Sequence, residues 1–181
     1  MKVGVVGLGL IGGSIFKGMD GKHDVVGVSR SVSEAGVSKD YSMLSGCNVV
    51  FVCTPMNKTL EILDKLEEFL DENTIVTDVC SLKEFVSHKS YRYKFIPSHP
   101  MAGTERSGYP NSSAELFKGA SMLLALSKEI QAEKLETLKA FYKDLGFSAI
   151  VITTPDEHDS MIAYTSQLAH ITSCSYIDNP K

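Results

Sequence analysis

Short runs of apolar residues alternate with helical stretches along most of this chain. The runs at 3–6, 24–28, 48–53, 74–77, 94–96, 122–126 and 149–152 predict β-strands. Leucines at 60, 63, 66 and 70 have a helical period, and 127–145 is predicted as a helix with Ser127 as its N-cap and Gly146 just past its end. Continuous apolar strands alternating with helices are typical of a sheet covered on both faces. We therefore predict an α/β fold with a doubly wound, mostly parallel sheet.

The pattern changes after residue 153. Thr154-Pro155-Asp156-Glu157 combines a capping threonine, a proline at the first helical position and acidic residues in the first turn. The helix that starts there is expected to continue at least to Tyr176, without a strand partner, and to stop near Asn179-Pro180. We expect one domain over 1–153, and a connecting helix over 154–181 that begins a helical C-terminal domain.

Composition excludes several classes of protein. The 181 residues are 43% hydrophobic and 22% charged, as in an ordinary globular protein, and a net charge of −4 without a basic run argues against nucleic-acid binding. Cys47, Cys53, Cys80 and Cys174 show no C-x-x-C spacing, which favours reduced thiols in the cytoplasm over a disulfide framework or a zinc site. The glycine-rich start is a poor signal peptide, and no apolar run approaches the ~18 residues of a membrane span.

A glycine fingerprint follows the first predicted strand. Gly7-Leu8-Gly9-Leu10-Ile11-Gly12 has the G-x-G-x-x-G spacing and opens a predicted helix, the context in which this otherwise weak motif indicates dinucleotide binding. The first glycine makes the tight turn, the second lets the backbone approach a pyrophosphate, and the third lets helix and strand pack closely. The helix N-terminus offers N–H groups to the phosphates. The alternative is a glycine-rich turn without a ligand.

The end of the second strand bears on which dinucleotide binds. An NAD site has Asp or Glu there to bind the ribose 2′-OH, whereas this chain has Ser29-Arg30-Ser31. An arginine and two hydroxyls can bind a 2′-phosphate, so we expect NADP, with NAD as the alternative if Arg30 is merely exposed.

Two further polar segments follow predicted strands, where ligands bind in open α/β sheets. They are Cys53-Thr54-Pro55, and the segment from Asp78 through Ser81 to Lys83. Ser81 would begin a short helix, so its hydroxyl serves either as an N-cap or as a substrate contact.

A histidine lies in a proline-bounded segment. Pro97 and Pro100 restrict the backbone on both sides of His99, and Gly103 and Gly108 let the chain turn back. A histidine fixed in a loop suits proton transfer near neutral pH. The alternative is a rigid turn in which the histidine caps a neighbour.

The last helix carries a polar stripe of Asp159, Ala163, Ser166 and His170, with Gln167 at its margin. Its spacing predicts a solvent-facing stripe, opposite an apolar side with Met161, Ile162, Leu168 and Ile171. Glu157, His158 and His170 do not match the H-E-x-x-H spacing of a zinc helix, so no metal site is expected.

In this order, the motifs resemble the prephenate/arogenate dehydrogenase family of tyrosine biosynthesis. The matching pieces are GLGLIGGS at 7–14, D-x-x-S-x-K at 78–83, HPMAGTERSG at 99–108, and EHD followed by SQLAH at 157–170. The resemblance implies a Rossmann-like cofactor domain, a helical domain that forms a homodimer, and oxidative decarboxylation of prephenate or arogenate.

Site roles follow from the same resemblance. His99 would be the catalytic histidine, with a pKa near the working pH, that binds the substrate ring hydroxyl, with Ser81 beside it at the same group. Glu105 would lie near the active-site mouth, and His170 and Gln167 beside the substrate. Cofactor contacts would come from the glycine loop, residues 29–31, 53–55 and Asp78.

The chain also departs from the family pattern. Ala169 stands where proline is common, which predicts a straighter helix. The helical domain and its carboxylate-binding arginine are missing, which favours a fragment over an incomplete enzyme. The alternatives are another NADP-linked oxidoreductase, such as a β-hydroxyacid dehydrogenase or an imine reductase, and a non-catalytic nucleotide sensor.

Overall fold

The computed structural model describes residues 1–126 and 131–178, except for the side chains of His170 and Asp178. Within these residues, six parallel strands form one sheet in the order β3-β2-β1-β4-β5-β6. In chain order they are β1 (Lys2–Val6), β2 (Asp24–Val28), β3 (Val37–Ser38), β4 (Val49–Val52), β5 (Ile75–Asp78) and β6 (Lys94–Phe95). The predicted parallel, Rossmann-like sheet is confirmed; the two-residue β3 is too short to give an apolar run.

A second, three-stranded sheet lies beside the first. It consists of β7 (Ser98–Met101), β8 (Ser121–Ala125) and β9 (Ala149–Thr153), with β7 antiparallel and β9 parallel to β8. The predicted loop around His99 is therefore wrong, because His99 pairs with Leu123 inside β7. Pro100 fits in this strand because β7 is an edge strand, where a missing N–H leaves no partner unsatisfied.

Helices connect the strands. Those described are α1 (Leu10–Met19), α2 (Met56–Leu66), α3 (Glu84–Ser87), α4 (Ala132–Asp144), α5 (Pro155–Ile162) and α6 (Leu168–Asp178), with short 3₁₀ turns at Tyr41–Leu44 and Tyr109–Asn111. α4 begins at Ala132 with Gln131 as its N-cap residue, later than the predicted start of this helix. Ser127, the predicted cap, lies outside the described residues, as does the predicted stop at Asn179-Pro180. Gly146 follows α4 with a φ of +95°, as the helix end predicts.

The six-stranded sheet separates two apolar cores, because alternate residues of a strand face opposite sides. In β4, Val49 and Phe51 pack with α1, α4 and the second sheet, whereas Val50 and Val52 pack with α2. All four residues are buried. Burial on both faces explains why the strand sequence is a continuous apolar run.

The C-terminal segment begins with the predicted cap. The Thr154 hydroxyl accepts the Glu157 N–H, and the Glu157 carboxylate accepts the Thr154 N–H, which together form a capping box. A π-helical turn at Ala163–Gln167 then separates α5 from α6. Although residue 169 is alanine and not proline, the segment is therefore not one uninterrupted α-helix.

None of the helices in the described parts of the chain is long and apolar enough to cross a membrane.

Candidate functional site

The glycine turn lies at the carboxyl edge of the six-stranded sheet. Gly7 has a φ of +90° and its N–H donates to the Val28 carbonyl. A Cβ on Gly12 would lie 1.9 Å from the Gly7 carbonyl oxygen, whereas a Cβ on Gly9 would meet nothing within 4 Å. The turn is therefore closed by contact between Gly7 and Gly12, and Gly9 faces open space at the start of α1.

This contrast gives a test of the turn. Gly12→Ala should lower the free energy of unfolding by about 1–3 kcal/mol, because the added methyl overlaps a backbone oxygen that cannot move freely. Gly9→Ala is the matched control and should change stability by less than about 1 kcal/mol. Urea unfolding monitored by circular dichroism measures both, and equal losses would contradict the assignment of close packing to Gly12.

The segment after β2 borders the same edge. The Ser29 hydroxyl oxygen accepts the N–H groups of Ser31 at 3.3 Å and Val32 at 3.2 Å, so Ser29 is buried in shaping the loop. The side chains of Arg30 and Ser31 are exposed. Of the three residues expected to bind a 2′-phosphate, only these two project from the loop.

Cys53, Thr54 and Pro55 follow β4 beside the glycine turn. A Cβ on Gly7 would lie 2.7 Å from the Cys53 carbonyl oxygen, and a Cβ on Gly12 would lie 2.8 Å from the Cys53 Cβ. Pro55 is the N-cap residue of α2. This segment therefore packs directly on the turn, as expected for two neighbouring strand ends.

A buried ion pair ends β5. Asp78 and Lys83 are both fully buried, and Lys83 Nζ donates to Asp78 Oδ2 and to the Ser98 carbonyl, each at 2.6 Å. The remaining Asp78 oxygen lone pairs accept the Cys80 and Ser98 N–H groups. Lys83 thus ties the end of β5 to the residue that precedes His99.

His99 lies next to this ion pair. Because β5 is two strands from β1 in the sheet, its end lies about 10 Å from the glycine turn. The His99 side chain is half-buried. Within the described residues its Nε2 makes no hydrogen bond, and this atom is not among the buried unpaired polar atoms, so it is accessible to solvent.

The other His99 nitrogen belongs to a buried chain of polar groups. His99 Nδ1 lies 3.0 Å from His158 Nε2, and His158 Nδ1 lies 2.7 Å from Asp159 Oδ1. Asp159 also accepts the backbone N–H of Lys83 at 2.7 Å and of Glu84 at 3.0 Å. α5 is therefore joined both to β7 and to the start of α3.

Electrostatics keep His99 neutral. Burial, followed by the charge of Lys83 and by His158, lowers the pKa of His99 from 6.5 to about 4. The expectation of a pKa near the working pH is wrong, because a cation and a second imidazole are brought to this ring only by folding. Burial raises the pKa of Asp159, but hydrogen bonds from Lys83, His158 and Glu84 outweigh it and leave that pKa below its usual value.

The other expected substrate residues lie on the surface. Ser81 is exposed, and the N-cap of α3 is Lys83, so the capping alternative for Ser81 is wrong. The Glu105 side chain is 85% exposed beside Arg106, and Gln167 is exposed on the π-helical turn. The side chain of His170 lies outside the described residues.

Three site residues received no role from the sequence: Lys83, His158 and Asp159. Lys83 and His158 lie within the segments D-x-x-S-x-K and EHD, but nothing in those letters says that the residues are buried. The solvent-facing stripe predicted on the last helix is wrong for Asp159, whose carboxylate binds the start of α3. A histidine and an aspartate directly after the first turn of a capped helix were the available signal.

Comparison with known proteins places the chain in one family. The profile of the family described as "Prephenate dehydrogenase, nucleotide-binding domain" matches residues 17–153. A prephenate dehydrogenase of Bacillus subtilis is 31% identical over 193 aligned residues, which cover 96% of this chain and 52% of that protein. The chain thus spans about half the length of this curated relative.

Solved structures give the same result. The Synechocystis arogenate dehydrogenase is 33% identical with a TM-score of 0.86, over 98% of this chain and 68% of that one. Prephenate dehydrogenase from Aquifex aeolicus, solved in complex with hydroxyphenyl propionate and NAD+, is 25% identical with a TM-score of 0.85 over the same shares of the two chains.

Within residues 1–126 and 131–178, no group of three or more His, Cys, Asp or Glu side chains could hold a metal ion. With the fold, the glycine turn and a family profile over most of its length, this chain belongs to the prephenate dehydrogenase family.

Proposed function

We propose that this chain binds NADP and carries the base for oxidative decarboxylation of prephenate or arogenate, which yields 4-hydroxyphenylpyruvate or tyrosine. The single observation that carries the proposal is the position of His99. Its neutral ring opens its Nε2 to solvent beside the buried ion pair at the end of β5, two strands from the glycine turn.

The glycine turn fits a dinucleotide. Gly9 is the N-cap residue of α1, and among the described residues no side chain accepts a hydrogen bond from the first N–H groups of this helix. These N–H groups are therefore available to phosphate oxygens. Open space at Gly9 lets the pyrophosphate reach the backbone. The nicotinamide of a dinucleotide held by this turn would supply the hydride acceptor.

The chain itself moves a proton. As the carbon that bears the substrate hydroxyl loses its hydride, the hydroxyl O–H bond breaks and His99 Nε2 takes the proton. The carbon–oxygen bond becomes a carbonyl, and the bond to the leaving carbon dioxide then breaks and sends its electron pair through the ring to the carbonyl oxygen. As the ring becomes aromatic, that oxygen takes the proton back from His99. A neutral imidazole is the required form, and such positioned bases contribute about 10²–10⁴-fold.

The remaining substrate contacts belong to the same proposal. Ser81 lies on the segment between Asp78 and the buried Lys83, and we assign it to the same substrate hydroxyl as His99. Glu105 is placed at the mouth of the site, and Gln167 and His170 beside the substrate.

Two assays test the proposed function in sequence. Titration with NADPH and NADH tests whether the chain binds a dinucleotide. Reduction of NADP+ in the presence of prephenate or arogenate, measured on this chain and on the product of its complete reading frame, then tests the reaction. Binding without turnover by either protein would favour a nucleotide sensor, and turnover of a β-hydroxyacid alone would favour the other oxidoreductase class.

The preference for NADP makes its own prediction. Arg30→Ala should weaken NADPH binding about 10-fold or more, since it removes a charge-assisted contact to the 2′-phosphate. NADH, which lacks that phosphate, is the internal control and should bind unchanged. Isothermal titration of both nucleotides measures the difference, and an equal loss for the two would show that Arg30 does not read the phosphate.

We also propose that residues 154–181 begin a helical domain through which the protein forms a homodimer in the cytoplasm. α6 supports this, because Leu168, Ile171 and Tyr176 are 54%, 60% and 81% exposed. Sedimentation of the product of the complete reading frame tests the dimer, and a monomer at micromolar concentration would contradict it.

A further inference from the structure

The hydrogen bonds that run from His99 through His158 to Asp159 have a fixed order of donors and acceptors. Backbone N–H groups can only donate, and Lys83 and Glu84 both donate theirs to Asp159. An ionised carboxylate can only accept, so His158 Nδ1, at 2.7 Å, must carry a proton. In the form of His158 that has a single N–H, its Nε2 is then an acceptor.

The order continues into His99. His158 Nε2 lies 3.0 Å from His99 Nδ1, and an acceptor there requires a proton on His99 Nδ1. In a neutral ring the other nitrogen, Nε2, is then unprotonated. We propose that His158 and Asp159 are positioning residues that hold His99 in the Nδ1–H tautomer, so that the nitrogen facing the cleft is the one that can accept a proton.

The tautomer of His99 does not depend on the proposed function, but its consequence for proton transfer from the substrate rests on that function. When the substrate hydroxyl gives its proton to His99 Nε2, the ring becomes an imidazolium that still donates from Nδ1 to His158. No proton needs to leave the buried chain. With the opposite tautomer, Nε2 would already carry a proton and could not act as the base.

Asp159 fixes the hydrogen-bonded groups behind His99 in place. Its carboxylate is only partly exposed, with 17% of the side chain accessible, and it holds two backbone N–H groups of α3 together with the His158 ring. The two backbone contacts connect residues 76 and 75 positions apart. His99 is therefore oriented by the same group that holds α3, whose preceding segment carries Ser81.

The first experiment reads the tautomer directly. Nitrogen-15 spectra of labelled protein at pH 8, where an imidazole is ordinarily neutral, distinguish protonated from unprotonated ring nitrogens, with His99→Asn used for assignment. We expect a proton on Nδ1 of His99 and none on Nε2. A proton on Nε2 would overturn the proposal, whether or not the protein turns over any substrate.

The second experiment compares two substitutions of one residue. His158→Gln keeps an amide oxygen able to accept the His99 Nδ1–H, whereas His158→Leu removes every acceptor. We expect His158→Leu to lower kcat about 10²-fold with the dinucleotide Kd unchanged, and His158→Gln to stay within about 10-fold of the original chain.

A purely structural role would affect the two variants alike. Equal losses of kcat in the Gln and Leu variants, at matched thermal stability, would overturn the positioning role. If no variant and no original protein turns over prephenate or arogenate, the proposed function fails, and the nitrogen spectra of the original chain and of His158→Leu still decide the tautomer.

Discussion

His99→Asn should lower kcat about 10³-fold, within the 10²–10⁴-fold range of a positioned general base. The asparagine amide nitrogen can still donate to His158 Nε2 in place of Nδ1, but it offers no nitrogen that takes a proton. Because the proposed pyrophosphate site is the glycine turn and His99 is not part of it, the Kd for NADPH should be unchanged. Stopped-flow reduction of NADP+ with prephenate or arogenate gives kcat, and fluorescence titration gives Kd.

A second histidine provides the control. His23 precedes β2, at the opposite edge of the sheet, where its Nε2 lies 3.2 Å from Asp144. His23→Asn should leave both kcat and Kd near those of the original chain. Turnover by His99→Asn at the original rate would remove His99 from the mechanism, and parallel losses of turnover and dinucleotide binding would indicate that the substitution disturbs the fold.

Lys83→Met should lower the free energy of unfolding by about 3–5 kcal/mol. The substitution keeps the length of the side chain but leaves the fully buried Asp78 carboxylate without its counter-ion, and leaves the Ser98 carbonyl without its donor. Urea unfolding by circular dichroism at pH 7 measures the loss, with an unchanged m-value as the sign that the native state remains compact.

A double substitution distinguishes the charge from the packing. Asp78→Asn added to Lys83→Met removes the uncompensated negative charge while the amide oxygen can still accept a backbone N–H. The double variant should therefore recover about half of the lost stability or more. A single variant that loses less than about 1 kcal/mol would show that the ion pair does not stabilise this edge of the sheet.

The sequence predicted the parts of the fold that local patterns control. The run at 49–52 is buried on both faces of the sheet, and its continuous apolar composition follows from that burial. The capping threonine at 154 was recognisable because the helix start it belongs to lies within four residues. The glycine turn was predicted from its local spacing, and its closest contact, between Gly12 and Gly7, also lies within the turn.

The sequence did not predict the second sheet around His99. Prolines on both sides of the histidine favoured a loop, because proline cannot donate in a ladder. The structure accepts Pro100 in β7 since that strand lies at an edge, and edge position depends on which strands come together. The lowered pKa of His99 has a similar origin, because the Lys83 charge is brought to it by tertiary contacts.

Residue types and their spacing thus determined, from the sequence alone, the α/β class and the glycine turn, and they singled out His99 as a candidate. Only the tertiary structure decided that Lys83 is buried against Asp78, and that His158 and Asp159 stand behind His99. The physical reason is the separation along the sequence of the residues that interact. Periodicity and capping act within a few residues, whereas a hydrogen bond between residues 59 or 76 positions apart leaves no local pattern in either segment.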